Sequence, residues 1–258
     1  MNVLEAILRQ KRVEVREARS ALPLVELRRR TVDAPPIRPF RSALQQKPIA
    51  IIAEVKKASP SRGVLTAQFD PIALAGEYEE GGASAVSVLT DEQFFQGHKS
   101  MLQSIKTAVR LPVLRKDFII DEYQVYESRV IGADAILLIV GMLSESQFSS
   151  LIDCAREVGL DVLVETHTEE DVGRANEHNA DIIGVNNRDL KTFEVSLQHS
   201  LNLRPLVRSG AVTVSESGIQ SREDVATLRK AGFDAVLVGE GLVTSSNRLQ
   251  LLKEFLQA

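Results

Sequence analysis

Glu54-Val-Lys56 closes an apolar run with a carboxylate and an ammonium two residues apart. If the run is a β-strand, both emerge on the side of Ile52, because side chains alternate between its faces. Five more apolar runs end in polar or small residues: Arg115-Lys116-Asp117-Phe118, Val164-Glu165-Thr166, Asn186-Asn187-Arg188-Asp189, Ser215-Glu216-Ser217-Gly218 and Gly239-Glu240-Gly241. Lys116 shares the face of Leu114, so an acid and a base, Lys116 and Glu165, would confront one another if these runs stand side by side. That pairing suits proton transfer to and from a bound substrate. Ser217-Gly218 and Gly239-Glu240-Gly241 offer small residues and open backbone N–H groups, which suit a phosphate.

Each group taken singly has a plainer reading. Glu54 with Lys56 makes a rim ion pair, Lys116 a surface lysine, and Asn186-Asn187-Arg188-Asp189 a turn whose side chains bond their own backbone. Glu165 could cap the next helix, although Thr168 with Asp171 three residues on is the better cap. Their gathering at strand ends shifts the balance, since burying so many charges together is costly unless they serve something.

The elements that must position these groups form a regular array. Short β-rich runs cover 49–55, 83–89, 111–114, 134–140, 160–165, 181–185, 211–215 and 234–238, each followed by a helical pattern. Glycines before several of them (Gly82, Gly132, Gly159, Gly232) suit the left-handed residue that ends a helix. The runs are apolar at odd and even positions alike, as parallel strands covered on both faces require. Eight such units close into a (β/α)8 barrel, with an open doubly wound sheet as the alternative. In such a barrel the active site lies at the carboxyl ends of the strands. Ahead of the array, 2–20 reads as an amphipathic helix with an Asn2–Glu5 capping box, and 25–30 as a second short helix. Asp33 to Pro39, with three prolines, breaks regular structure.

Composition narrows the partners. The chain has 258 residues, 31 Lys and Arg against 35 Asp and Glu, 44% hydrophobic residues and one cysteine. A formal charge of -4 leaves no basic excess for a nucleic-acid backbone. No apolar run approaches the ~20 residues that span a bilayer, and no leader peptide is readable at the start. Cys154 has no second thiol to pair with, which fits a reducing cytoplasm. The four histidines, at 98, 167, 178 and 199, lack metal-site spacing and read as surface or loop residues; Asp91-Glu92 and Glu169-Glu170-Asp171 read as solvated faces or helix starts. No metal is expected.

Five segments together carry a resemblance: Ile52-Ala-Glu54-Val-Lys56-Lys-Ala-Ser59-Pro60-Ser61, Phe94-Phe95-Gln-Gly97, Val113-Leu-Arg-Lys116-Asp117-Phe118-Ile119, Gly184-Val-Asn186-Asn187-Arg188-Asp189-Leu190 and Ser215-Glu216-Ser217-Gly218-Ile219. They resemble the indole-3-glycerol phosphate synthase family, in the family's order and over essentially the whole chain. The resemblance implies a TIM barrel with an N-terminal helical extension, one domain over 1–258 with the extension at 1–48 and the barrel at 49–258. It further implies decarboxylating ring closure of 1-(2-carboxyphenylamino)-1-deoxyribulose 5-phosphate to indole-3-glycerol phosphate, carbon dioxide and water, a step of tryptophan synthesis, with no cofactor. The expected partner is a small phosphorylated substrate, and the expected state a monomer or a weak homo-oligomer in the cytoplasm.

By the same resemblance Lys116 is the general acid at the ribulose carbonyl and Glu165 its acid/base partner. Lys56 holds the substrate carboxylate, while Glu54, Asn186, Arg188, Glu216 and Ser217 line the site. Ser59, Gly218, Gly239 and the Glu240 backbone match the phosphate cradle, and Phe95, Phe118, Pro60 and Leu137 enclose the aryl ring. Which lysine acts at which step stays open. Thr166-His167-Thr168 departs from the Val-His-Asp common in the family, and His98 stands where a small polar residue is usual. The rival readings are another phosphosugar barrel enzyme, of isomerase or Schiff-base aldolase type, and a barrel that binds a phosphorylated ligand without turnover.

Overall fold

A computed structural model describes residues 3–258 except 61, 67, 190, 191 and 193, so Asn2, Ser61 and Leu190 lie outside the described residues. Eight parallel strands form the array: β1 (Ala50–Val55), β2 (Ala85–Leu89), β3 (Val113–Lys116), β4 (Ala135–Ile139), β5 (Asp161–Thr166), β6 (Ile182–Asn186), β7 (Val212–Glu216) and β8 (Ala235–Val238). Neighbours in sequence pair, and β8 returns to β1 through Ala50↔Ala235 to Ala53↔Val238, which closes the barrel and excludes the open sheet. The fold is a TIM barrel with an N-terminal helical extension.

Alternation along each strand sorts the apolar residues into two cores. Ala50, Ile52, Leu114, Leu137, Leu163, Val214 and Leu237 fill the barrel interior, whereas Ile51, Ala53, Val55, Val86, Val88 and Ile136 meet the surrounding helices. This is why the runs are apolar throughout. A short helix that proline content had hidden, Phe40–Ala43, closes the amino-terminal end: Phe40 and Leu44 are fully buried in the interior cluster. Each such side chain contributes about 1.5–3 kcal/mol of hydrophobic stabilisation.

The helix-to-strand corners take the expected form, with Gly82, Gly132, Gly159 and Gly232 at φ of 87°, 91°, 77° and 88°. The aspartates beside them do more than turn. Asp134 accepts from the Val113 and Arg38 amides at 2.7 and 2.6 Å, Asp161 from the Arg41 amide at 2.9 Å, and Asp234 from the Thr213 amide at 2.8 Å. The Val113 and Thr213 amides lie at the starts of β3 and β7, whereas those of Arg38 and Arg41 belong to the segment and short helix that close the amino-terminal end of the barrel. Strand β3 begins two residues later than expected because Pro112 has no N–H to give; its carbonyl still accepts from Val86.

Helix α1 (Val3–Ala21) lies at the carboxyl end of the barrel, with Leu4 and Ile7 on the wall of the central cavity. Lys11 anchors it. Its Nζ is 2.8 Å from Asp91 Oδ2 and 2.8 Å from Asp117 Oδ1, and both carboxylates are buried. The solvated reading of Asp91 is therefore corrected: it also accepts from the Phe94 and Phe95 amides at 2.7 and 3.2 Å. Burial alone would depress the Lys11 pKa, but the charges of Asp117 and Asp91 outweigh it and raise it. Glu169 to Asp171 do open a helix, Glu169–Glu177, through a Thr168–Asp171 capping box. Among the described residues no helix is long and apolar enough to cross a membrane.

Candidate active site

Every residue singled out as catalytic or substrate-binding lines one cavity of about 700 Å³ at the carboxyl ends of the strands. On its floor, Lys116 Nζ at the end of β3 stands 3.2 Å from Glu165 Oε2 on β5 and 3.8 Å from Glu216 Oε2 on β7. Asn186 of β6 donates from Nδ2 to Glu165 Oε1 at 3.1 Å. A second pair, Lys56 Nζ with Glu54 Oε1 at 2.6 Å, comes from β1 and the residue after it. These positions follow from the pleat: each stands one or two alternations above an apolar interior residue, as Glu165 does above Leu163 and Lys116 above Leu114.

The electrostatics divide the three glutamates. Burial raises the Glu165 pKa, yet Lys116 and then His167 lower it further, so the net direction is down and the carboxylate is ionised. Glu54 is likewise held down, by Lys56 and Lys116 against burial. Glu216 goes the other way: burial first and the charge of Glu165 second push its pKa well above the usual carboxylate range. Its two oxygens accept no hydrogen bond from the described residues. Burial would lower the Lys116 pKa, but Glu165, Glu216 and Glu54 together raise it. The site thus sets two lysines among three glutamates, with the pKa of Glu165 and Glu54 pushed down and that of Glu216 pushed up, an arrangement that favours a proton donor beside an acceptor.

Two glycines make room for this set. A Cβ on Gly184 would come within 2.2 Å of Glu216 Oε1, and one on Gly239 within 2.2 Å of Glu54 Oε1 and 3.0 Å of Lys56 Nζ. Gly239, expected from sequence only to expose backbone to an anion, also seats the Glu54 carboxylate. Near it, Ser217 adopts the left-handed region at φ 68° and Gly218 follows at 78°. Asn187 holds that turn, donating from Nδ2 to the Ser217 carbonyl and to Ser215 Oγ, each at 3.0 Å.

Around the mouth, Phe95 and Phe118 approach with ring centroids 6.0 Å apart, and Pro60 and Leu137 share the wall. Ser59, Arg188, Ser217, Gly218 and Glu240 line the same cavity. Arg62 reaches from the segment after β1 to Glu240 Oε1 at 3.1 Å.

Five contributors were not legible in the sequence. Gly184 and Asn187 lay inside a recognised motif but act through contacts with β7, invisible along the chain. Leu4 and Ile7 looked like one face of a helix, with no sign of what that face meets. His167 was read as a surface or loop residue, yet its Nε2 lies 3.4 Å from Glu165 Oε1 with the side chain only 14% exposed. The clue was its place two residues beyond Glu165.

Comparison with solved structures returns barrels of the same architecture at low identity. One is a 3-hexulose-6-phosphate synthase from Salmonella typhimurium, with a TM-score of 0.66 at 17% identity over 81% of this chain and 97% of that one. A thiamine phosphate pyrophosphorylase from Pyrococcus furiosus gives 0.61 at 15% identity over 85% and 96%. These likenesses establish the fold alone. Sequence comparison is more specific. The chain is 52% identical over 248 residues to an indole-3-glycerol phosphate synthase from Chlorobium phaeovibrioides, covering 95% of this chain and 96% of the relative. It is 49% identical over 261 residues to one from Roseiflexus sp., covering 98% and 97%. With the family's sequence profile, described as indole-3-glycerol phosphate synthase, matching residues 4–255, the chain belongs to the indole-3-glycerol phosphate synthase family.

Proposed function

We propose that this chain closes the indole ring of 1-(2-carboxyphenylamino)-1-deoxyribulose 5-phosphate with loss of carbon dioxide and water, the tryptophan-pathway step for which its family is named. The observation that carries the reading is the buried Lys116–Glu165 contact at 3.2 Å on the cavity floor. A protonated amine and an ionised carboxylate at that spacing supply what the chemistry needs: a donor to the ketone oxygen as the aryl carbon attacks, and an acceptor for the proton later lost from carbon.

In this reading Lys116 is the general acid and Glu165 the acid/base partner, oriented by Asn186. Burial and the charge of Glu165 push the Glu216 pKa up while Lys116 holds that of Glu165 down, which favours Glu165 as the ionised member of the pair. Lys56, steadied by Glu54, takes the substrate carboxylate. Phe95, Phe118, Pro60 and Leu137 enclose the aryl ring, while Ser59, Ser217, Gly218, Gly239 and the Glu240 backbone cradle the phosphate with Arg188 alongside. Residues 1–48 and 49–258 work as one domain, because Leu4 and Ile7 complete the cavity wall and Lys11 ties the extension to the segments that carry Phe95 and Lys116. A monomer in a reducing cytoplasm fits the buried, unpaired Cys154.

The test is direct. Purified protein mixed with the carboxyphenylamino substrate, without added metal or cofactor, is expected to generate indole fluorescence. Borohydride added during turnover should leave no covalent adduct on a lysine; a trapped adduct, or no product, overturns the acid/base reading.

A further inference from the structure

The proposed reaction does not conserve protons. The departing water is built from the ketone oxygen and two protons; the substrate methylene supplies one, and the carboxylate leaves as neutral carbon dioxide. One proton per turnover therefore comes from solvent. Glu165, whose side chain is 2% exposed, and Lys116 face a cavity that the substrate itself fills, beneath Leu4, Ile7 and the Arg62–Glu240 contact.

Behind Glu165 stands His167. Its Nε2 is buried, lies 3.4 Å from Glu165 Oε1 and finds no hydrogen-bond partner among the described residues. The His167 side chain is 14% exposed while Nε2 itself is buried, so solvent meets the side chain at atoms other than Nε2, and His167 is not on the cavity wall. Its backbone is pinned from three elements: the His167 amide donates to Asp171 Oδ2 at 2.9 Å, and His199 Nε2 donates to the His167 carbonyl at 2.7 Å, while β5 leads directly into it. The titratable groups facing it are thus Glu165, with Lys116 and Glu216 beyond, Asp171 of the following helix, and His199 of the helix Leu197–Leu203.

From this placement we infer that His167 is the inlet through which the solvent proton reaches Glu165, by a route separate from the substrate cavity. The inference rests on the proposed ring-closing reaction. Over one turnover the site's donors give two protons to the ketone oxygen. Glu165 gains one from the substrate methylene and returns it to Lys116. The second passes from His167 Nε2 to Glu165 Oε1 and on to the depleted donor; His167 takes up a solvent proton at Nδ1 as it gives the one on Nε2, and a turn of the ring brings the newly protonated nitrogen to Glu165 and restores the starting state. His167 acts through Glu165 and does not touch the substrate.

The experiment measures kcat and KM of wild type, His167→Ala and His167→Asn in weakly buffered solution, with and without millimolar imidazole. Loss of the relay is expected to lower kcat by about tenfold or more with KM changed by less than about twofold, within the range of a positioned acid–base group. Imidazole should restore much of the rate to His167→Ala, which leaves it space, and none to His167→Asn, which fills the space without relaying. A kcat near wild type in either variant overturns the inference. So does a loss in a folded His167→Ala protein that imidazole fails to repair, because that marks a structural role. Should His167→Ala not fold, the kcat of His167→Asn decides alone. Wild type that forms no product in the same assay would instead remove the ring-closing reaction itself.

Discussion

Gly184→Ala tests whether the barrel interior was shaped around a carboxylate. The new methyl would stand 2.2 Å from Glu216 Oε1, 3.1 Å from Leu163 Cδ1 and 3.3 Å from Glu216 Cδ. Ordinary contact requires the carboxylate to retreat by about 1 Å or more, and a misplacement of that size can lower a rate by about 10²-fold. Overpacking of a tight interior costs about 1–3 kcal/mol. Both effects have one source, so a double-mutant cycle isolates it. In a Glu216→Ala background the methyl meets mainly the tip of Leu163, and its stability cost should fall below about 0.5 kcal/mol, far from additive. Urea unfolding of the four proteins gives the cycle, and turnover of wild type and Gly184→Ala gives the rate. An equal stability penalty in both backgrounds, or a kcat for Gly184→Ala close to wild type, would refute the seating of Glu216 by Gly184.

Lys116→Ala is expected to lower kcat by about 10²-fold to 10⁴-fold with a smaller change in KM; near-normal turnover would remove Lys116 as the acid. Gly239→Ala, which from sequence alone would raise KM by obstructing the phosphate, should also depress kcat, because its Cβ meets Glu54 and Lys56; a pure KM effect would contradict that seating. Lys11→Met leaves Asp91 and Asp117 buried without their shared cation, and a loss of about 3–5 kcal/mol is expected in denaturant unfolding; a loss below about 1 kcal/mol would show that the carboxylates find other partners. Glu216→Gln addresses protonation. Since the folded Glu216 pKa is raised, its contribution to stability is fully present below the unfolded carboxylate value and declines as pH rises through the folded value. The permanently neutral glutamine escapes that decline, so the variant should gain on wild type as pH rises, and a pH-independent difference would argue for an ionised Glu216.

The strands, their order and the side on which each polar residue emerges were legible in the chain because they depend on local rules. Alternation places Glu165 above Leu163 whatever surrounds it, and a glycine before an aspartate ends a helix by its own backbone freedom. Even the list of groups at strand ends could be written down without coordinates. What only the closed barrel decided was which of them meet. Closure brings β3, β5 and β7 around one axis, so Lys116 sits between Glu165 and Glu216, residues 49 and 100 positions away in the chain. The opposite pKa shifts of those two glutamates come from burial and from the charges around each, Lys116 beside Glu165 and Glu165 beside Glu216, which no sequence window contains. Gly184 and Gly239 show the same limit: their significance is the space beside them, and that space belongs to a neighbouring strand. Asp91, read as part of a solvated face or a helix start, is buried against Lys11 of helix α1, and His167, read as a surface or loop residue, does lie in the loop after β5 but turns its Nε2 toward Glu165; both contacts are set by tertiary packing.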